Sequence, residues 1–201
     1  MAGRSDVQAI TISDEVAAST TFVAAAARPN TAFTIANSSF ASGGARNVTV
    51  TTAGTGDNGK TVTVVGTDVF GDALTEVITS TGSAETVAGT KFFKTITSAT
   101  CSAQYAANVS VGSGELAAQA ILGSNRVRVK GFSIVSGGTA GIVNFYNGAP
   151  EDGTILFKSR TIGTDNSTVD RTVPEDGVLF ENGFVVNYTI GTIDMMTFFY
   201  A

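Results

Sequence analysis

Apolar and polar residues alternate with a period of two along most of the chain after residue 45. The segments RNVTVTT and TVTVVGTDV place valine at every second position over several residues, with threonine between. Side chains that alternate in this way point to opposite faces of a β-strand, so that one face is buried and the other is polar. Similar short segments recur with Gly, Asn and Asp between them, which is typical of an antiparallel β-sandwich.

The alternating segments fall into two series, and these define the predicted domains. The segment GSGELAAQAILGSN separates them and has no clear period of two, so it is interpreted as a linker or a short helix. The sequence therefore predicts an all-β protein with little helix, made of two antiparallel β-sandwich or jelly-roll-like modules. The N-terminal module, with an N-terminal arm, spans 1–115, the linker or helix spans 116–125, and the second module spans 126–201.

An alanine-rich segment near the N-terminus, FVAAAARP, is open to two interpretations. It could form one helical turn that Pro29 ends, because proline cannot continue a helix. It could instead be a flat strand that packs closely on a neighbour, and the sequence does not decide between the two.

The stretch GTGDNGKT matches a phosphate-binding loop, with Gly54, four residues, then Gly59, Lys60 and Thr61. Such a loop leads a strand directly into a helix, whose free N–H groups hold the anion. Residues 61–65 are five consecutive β-branched residues, which would destabilise a helix by about 3 to 4 kcal/mol relative to alanine. The stretch is therefore predicted to be a loop between two paired strands and not a nucleotide site.

The register of that predicted hairpin has two solutions. An Asn-Gly turn would close it after two residues, whereas a longer loop over 53–59 would pair Val48 with Val64 and Val50 with Val62. The longer loop places all four valines on one face and is preferred for that reason.

A β-bulge is predicted at Val65 and Gly66. The apolar parity of the strand switches there, and the segment FGDA supplies the next turn. A bulge adds one residue to a strand and so reverses which face the following side chains point to.

Composition and charge narrow the class of protein. The 201 residues include 23 glycines, 3 prolines and no histidine or tryptophan, and 12 basic against 17 acidic residues give 12 − 17 = −5. A net negative charge argues against general binding to nucleic acid or to anionic membranes. No apolar run is long enough to span a bilayer, and the start resembles no secretory signal, so synthesis in a cytoplasm is expected.

Candidate chemistry is sparse. The absence of histidine removes the usual nucleophilic triads and much acid–base and metal chemistry. Cys101 is the single cysteine and is predicted to be a small core residue. Acidic residues occur in turns and on polar strand faces, and none has the spacing of a calcium loop. We therefore predict no enzyme, no cofactor and no catalytic or metal site. The acids considered are Asp14 and Glu15, both interpreted as solvated, with Glu151, Asp152, Asp165, Asp170, Glu175 and Asp176.

Two segments of the second module are candidate partner interfaces. Arg126, Arg128 and Lys130 lie in line on one strand face, opposite valines. They are interpreted as a solvated face or as an interface that binds an acidic protein surface. The terminal segment MMTFFYA is apolar on both faces of a strand, so it is either a central core strand or buried between subunits. Its candidate interface residues are Met196, Phe198 and Tyr200.

The run from GTGDNGKTVTVVGTDVF through KFFKTITSAT to NVSVG resembles a β-sandwich of virion structural proteins of tailed bacteriophages. The second half, from VRVKGFSIVSGG to IDMMTFFYA, resembles a companion module of the same kind of protein, including those of marine cyanophages. The resemblance implies a head decoration or cement protein, assembled in the host cytoplasm on a virion. Its implied partners are the major capsid protein or other virion proteins and further copies of itself.

Two alternatives stay open. The first is another place in the virion, in the neck, the tail or a fibre base. The second is a module that binds a receptor or a glycan, for which exposed aromatic residues would be required. The tight aromatic pairs outside the terminal strand are Phe92 with Phe93 and Phe145 with Tyr146, and each is more simply explained by strand residues that face opposite sides.

Overall fold

The fold is known from a computed structural model that describes residues 6–40, 42–174 and 176–201. The described residues form β-strands, turns and loops, which confirms the predicted all-β class. They form no helix that is long and apolar enough to cross a membrane. They divide into two compact units: unit 1 contains residues 6–15 and 119–201, and unit 2 contains residues 16–118.

The strands in chain order are β1 (Gln8–Ser13), β2 (Ser19–Ala27), β3 (Ala45–Thr52), β4 (Thr61–Thr67), β5 (Ala73–Thr79), β6 (Thr86–Phe93), β7 (Thr95–Cys101), β8 (Val109–Ile121), β9 (Val127–Ser136), β10 (Ile142–Asn147), β11 (Thr154–Arg160), β12 (Thr168–Thr172), β13 (Val178–Phe180), β14 (Phe184–Thr189) and β15 (Ile193–Tyr200). Their pairings are antiparallel throughout.

Unit 2 is a sandwich of two antiparallel sheets. One sheet has the order β2–β8–β3–β6, and the other is the three-stranded sheet β5–β4–β7. Their inner faces share one hydrophobic core, in which valines from β3 and β8 meet valines from β4. The alternation of valine and threonine predicted strands with one buried face, and the buried valines confirm this.

The predicted hairpin between β3 and β4 is wrong. β3 pairs with β6 and β8, whereas β4 pairs with β5 and β7, so the two strands belong to different sheets. Val48, Val50, Val62 and Val64 are nevertheless all buried in the same core. Their common burial arises because they face each other across the sandwich, and a pattern of alternation reports a buried face without reporting the hydrogen-bonded neighbour.

The predicted bulge at Val65 and Gly66 is confirmed, since the register of β4 against β7 shifts between these two residues. A Cβ atom on Gly66 would overlap the backbone carbonyl of Thr95 on β7. Glycine therefore allows the close approach of the two backbones that the bulge requires.

Replacing Gly66 with alanine is expected to lower the free energy of unfolding of unit 2 by about 1 to 3 kcal/mol, because β7 must shift to admit the methyl group. The matched control is Gly138→Ala, where a Cβ would meet no atom within 4 Å. Chemical denaturation, with hydrogen exchange of β4 and β7 amides as the local readout, measures the difference. Equal stability of the two variants would contradict the close approach at Gly66.

Unit 1 also contains two sheets around one core. The five-stranded sheet has the order β1–β15–β9–β12, with β13 also paired to β9, and the opposing strands have the order β11–β10–β14. Phenylalanine rings fill the space between them. Ring centroids of Phe132 on β9 and Phe145 on β10 lie 5.1 Å apart, and those of Phe184 on β14 and Phe198 on β15 lie 5.0 Å apart.

The boundary between the units, after Ala118, lies within the predicted segment 116–125, but the structure of that segment differs from the prediction. Residues 116–121 belong to the long strand β8, so this part of 116–125 is neither a helix nor a linker. Most of β8 is buried on both faces, which removes the period of two that identifies a half-buried strand. Residues 6–15 belong to unit 1 and not to an N-terminal module, because β1 pairs with the C-terminal strand β15.

The alanine-rich segment is the strand β2, as one of its two interpretations required. β2 pairs with β8, and a Cβ on Gly112 of β8 would overlap the backbone of Thr20. The small residues of both strands thus permit the close packing that the flat-strand interpretation expected.

Candidate docking face

The outer face of the five-stranded sheet of unit 1 carries the predicted basic residues. Val127 and Val129 of β9 point into the core, so Arg128 and Lys130 point away from it and are half-buried at the surface. Arg126 lies just before β9 and is exposed. The period of two therefore places Arg128 and Lys130 on the side of the sheet that solvent reaches.

The central strand β15 adds apolar side chains to the same outer face. β15 lies between β1 and β9, which confirms that the terminal segment is a central strand. Met195 and Phe199 are opposite Val135 and Gly131 of β9 and keep 45% and 41% of their surface exposed. Two large exposed hydrophobic side chains on a central strand form a flat apolar surface, which is a feature of protein interaction sites.

A groove lies beside the ring of Phe199 on the same face. The register of β9 against β15 shifts between Phe199 and Tyr200, which leaves Lys130 as an extra residue in a bulge. A space of about 520 Å3 lies between Phe199 on one side and β12 on the other. A Cβ atom on Gly131 would come within 2.8 Å of the carbonyl oxygen of Arg171, so glycine allows β12 to approach β9 closely here. The groove is lined by Lys130, Gly131, Phe132, Ser133, Asp170, Arg171, Thr172 and Phe199.

We define the docking face as Arg126, Arg128, Lys130, Met195 and Phe199. None of its three cations forms an ion pair within the described part of the chain. Arg128 makes one long hydrogen bond, from Nη1 to the carbonyl oxygen of Asp176, at 3.5 Å. The cations are therefore available to an anionic partner group, and the apolar side chains beside them supply surface to bury.

The predicted interface residues of β15 lie elsewhere. Met196 and Phe198 are fully buried in the core of unit 1 and are not part of its exposed surface. Tyr200 is half-buried, and its hydroxyl donates a hydrogen bond to Oε1 of Gln8 at 2.9 Å. The exposed apolar side chains of β15 are Met195 and Phe199, on the face of the strand opposite to Met196 and Phe198.

A second bulge explains that parity. The register of β15 against β9 shifts between Ile193 and Met195, which makes Asp194 the extra residue. Ile193 and Met196 then both point into the core, although they are three positions apart. Because MMTFFYA is apolar on both faces of the strand, the sequence does not reveal this change in which residues face the core. The polar Thr197, which lies between Met195 and Phe199 on the outer face, is the one residue in the segment that indicates the exposed side.

The stretch GTGDNGKT holds a buried ion pair and no phosphate cradle. Asp57 is completely buried, and its Oδ1 accepts hydrogen bonds from Nζ of Lys60 at 2.8 Å and from the amide of Ala106 at 2.7 Å. Burial alone would raise the pKa of Asp57, but these two bonds and the charge of Lys60 together lower it below its ordinary value. Nζ of Lys60 also donates to the carbonyl of Gln104, so the lysine ties loops of unit 2 together.

Glu15, Asp68 and Glu76 are buried as well, which for Glu15 corrects its interpretation as solvated. Glu15 is 6% exposed and its Oε1 accepts a hydrogen bond from Nε2 of Gln119. Glu76 is 9% exposed, and its Oε1 accepts bonds from the backbone amide and the hydroxyl of Thr90. Each carboxylate links strands or loops of one unit, so its role is structural.

The other candidates for chemistry do not converge on a site. Cys101 is buried in the core of unit 2, and this burial raises the pKa of its thiol. Tyr105 is buried as well, and burial likewise raises the pKa of its hydroxyl. The described residues contain no group of three or more Cys, Asp or Glu side chains placed to hold a metal ion. Glu175, considered for calcium, lies outside the described residues.

The aromatic pairs considered for glycan binding are largely internal. Phe92, Phe93 and Phe145 are buried, and Tyr146 is half-buried. Among the described aromatic residues, Phe199 is the one that remains most open to a partner.

Comparison of the chain with known proteins found no matching family model, no similar curated protein and no similar solved structure.

Proposed function

We propose that this chain is a non-enzymatic structural protein of a tailed-bacteriophage virion, a head decoration protein that attaches to the major capsid protein. In this proposal the host cytoplasm is its place of synthesis, and the assembled virion is its place of action. The proposal is supported by the resemblance of both halves to virion β-sandwiches and by the docking face of unit 1. Attachment as a symmetric homo-oligomer would repeat each contact over the shell.

The observation that carries the proposal is the composition of the docking face. Met195 and Phe199 are exposed on a central strand, and Arg128 and Lys130 lie on the neighbouring strand of the same sheet. Burial of the exposed parts of the two apolar side chains contributes about 1 kcal/mol each to attachment. The cations add selectivity for an acidic surface and speed its encounter more than they add affinity.

The same face favours a protein partner over nucleic acid. Nucleic-acid surfaces combine dense positive charge with several stacking rings, whereas this face offers one exposed ring in a chain of net charge −5. An acidic patch of a capsid subunit, with an apolar group that enters the groove, matches both the charge and the shape.

Charge reversal tests the docking face. In the variant Arg126→Glu, Arg128→Glu, Lys130→Glu, we expect binding to purified particles that lack the protein to weaken at least about tenfold, because three attractions become repulsions. Co-sedimentation at several salt concentrations measures it, and the wild-type protein should lose affinity as salt rises. All three residues are at the surface, so the variant should keep its circular dichroism spectrum.

Lys94→Glu is the matched control, since it reverses a charge of unit 2 that lies outside the docking face. It should bind particles like the wild type. If the triple variant binds as well as Lys94→Glu, the assignment of the docking face is wrong.

A further inference from the structure

Unit 1 has a second groove, located where two edge strands come close together. Within the described part of the chain β11 pairs with β10 alone and β12 with β9 alone, so each is the outer strand of its sheet. Between these edges lies a space of about 270 Å3. It is lined by Phe132, Leu156, Phe157, Lys158, Ser159, Arg171, Val173 and Val178.

The floor of this edge groove is apolar and preformed. The rings of Phe132 and Phe157 stack with centroids 5.8 Å apart and an angle of 17° between their planes. Leu156 remains 40% exposed at the side, and Val173 and Val178 are partly exposed. A stacked pair of a buried ring, Phe132, and a half-buried ring, Phe157, with open aliphatic neighbours gives a site for one or two apolar side chains of a ligand.

The rim of the edge groove is cationic. Lys158 and Arg171 are exposed, and within the described residues neither forms an ion pair. Arg171 donates from Nη1 to the carbonyl oxygen of Asp170 at 2.9 Å, which fixes its guanidinium without neutralising it. Among the described residues that line this groove there is no Asp or Glu, although acids outnumber bases in the whole chain. This local excess of positive charge selects an anionic ligand.

The backbone of β11 supplies a third requirement. An edge strand presents a row of N–H and C=O groups on the side that has no partner strand. β11 runs from Thr154 to Arg160, and its side chains alternate between exposed and half-buried positions. This is long enough for an added strand to form several backbone hydrogen bonds, and such addition is a common mode of peptide recognition.

We propose that the edge groove binds an extended acidic segment of a partner protein, which adds as a strand to β11. Apolar side chains on one face of the segment contact Phe132 and Phe157, and carboxylates contact Lys158 and Arg171. The lysine and arginine on this edge also exclude neutral and basic strands, so the site is protected from unspecific edge pairing. Phe132 and Arg171 also line the groove beside Phe199, but β11 lies outside the docking face, and binding of a peptide to it does not depend on attachment to a capsid.

The probe for this site is a fluorescein-labelled peptide of nine residues that alternates glutamate and valine. We expect saturable binding by fluorescence anisotropy, at least about tenfold weaker in Lys158→Glu, Arg171→Glu and unchanged in Lys94→Glu. A peptide with lysine in place of glutamate should not bind. Absence of saturable binding, or equal binding by the two charge variants, would overturn the proposal.

Strand addition is tested separately from charge attraction. N-methylation at alternate residues removes the amide donors of one edge of the peptide and leaves all its charges in place. Methylation of one set of alternate residues should abolish binding, and methylation of the other set should leave it within about threefold. If neither set matters, the carboxylates alone hold the peptide, and the strand-addition model is wrong.

Discussion

Replacing Phe198 with alanine is expected to lower the free energy of unfolding of unit 1 by about 3 to 5 kcal/mol, the largest loss predicted for any substitution considered. Phe198 is completely buried and contacts Phe184 in an edge-to-face arrangement with centroids 5.0 Å apart. It also lies 6.1 Å from the ring of Phe145. Removal of the ring deletes buried apolar surface and leaves a cavity that rigid neighbouring strands cannot close.

The next residue provides the control. Phe199 lies on the other face of β15 and is 41% exposed, so Phe199→Ala should change stability by less than about 1 kcal/mol. It should weaken attachment to particles instead, because its ring belongs to the docking face. Chemical denaturation, with hydrogen exchange to separate unit 1 from unit 2, measures both variants. Similar losses of stability in the two variants would mean that the register of β15 is wrong.

Replacing Asp57 with alanine is expected to lower the free energy of unfolding of unit 2 by about 3 kcal/mol. The substitution leaves the amide of Ala106 without its acceptor and Lys60 without its counter-ion, in a place that water does not reach freely. Hydrogen exchange should increase first in the loops around Gln104 and Ala106, which the ion pair holds. Exchange that is unchanged in these loops would contradict this role.

The pH dependence of unit 2 follows from the same residue. The pKa of Asp57 is lower in the folded protein than its ordinary value of 3.8, so its contribution is fully present above that value. The contribution is lost as pH falls through the folded pKa, because the unfolded chain then binds the proton more readily. The stability difference between wild type and Asp57→Asn should therefore shrink below about pH 4.

The alternation of side chains predicted the strands and their buried faces but not their partners. Val48, Val50, Val62 and Val64 were expected on one face, and they do share one core. They reach this core from two different sheets. Whether two strands pair in one sheet or face each other across the sandwich depends on long-range contacts, which a local pattern of alternation does not encode. The bulge at Gly66 was predictable because it changes a local property, the parity of the strand.

The sequence likewise predicted one part of the candidate site correctly and another part incorrectly. Arg128 and Lys130 were placed correctly on an outer face because Val127 and Val129 fix the parity of β9. The apolar half of the site was assigned to Met196 and Phe198, whereas Met195 and Phe199 are exposed. In a strand that is apolar on both faces, the position of a bulge determines which side chains are buried. The position of the bulge depends in turn on how well the whole core packs, which the sequence of one strand does not show.

The central claim is that the chain is a structural component present in many copies on a virion head. Quantitative electrophoresis of purified virions, with the major capsid protein as the internal standard, measures its copy number directly. The account predicts hundreds of copies per particle, in a fixed ratio to the capsid protein. A count of about six or twelve would move the protein to a ring in the neck or tail. Complete absence from particles would contradict the proposed function.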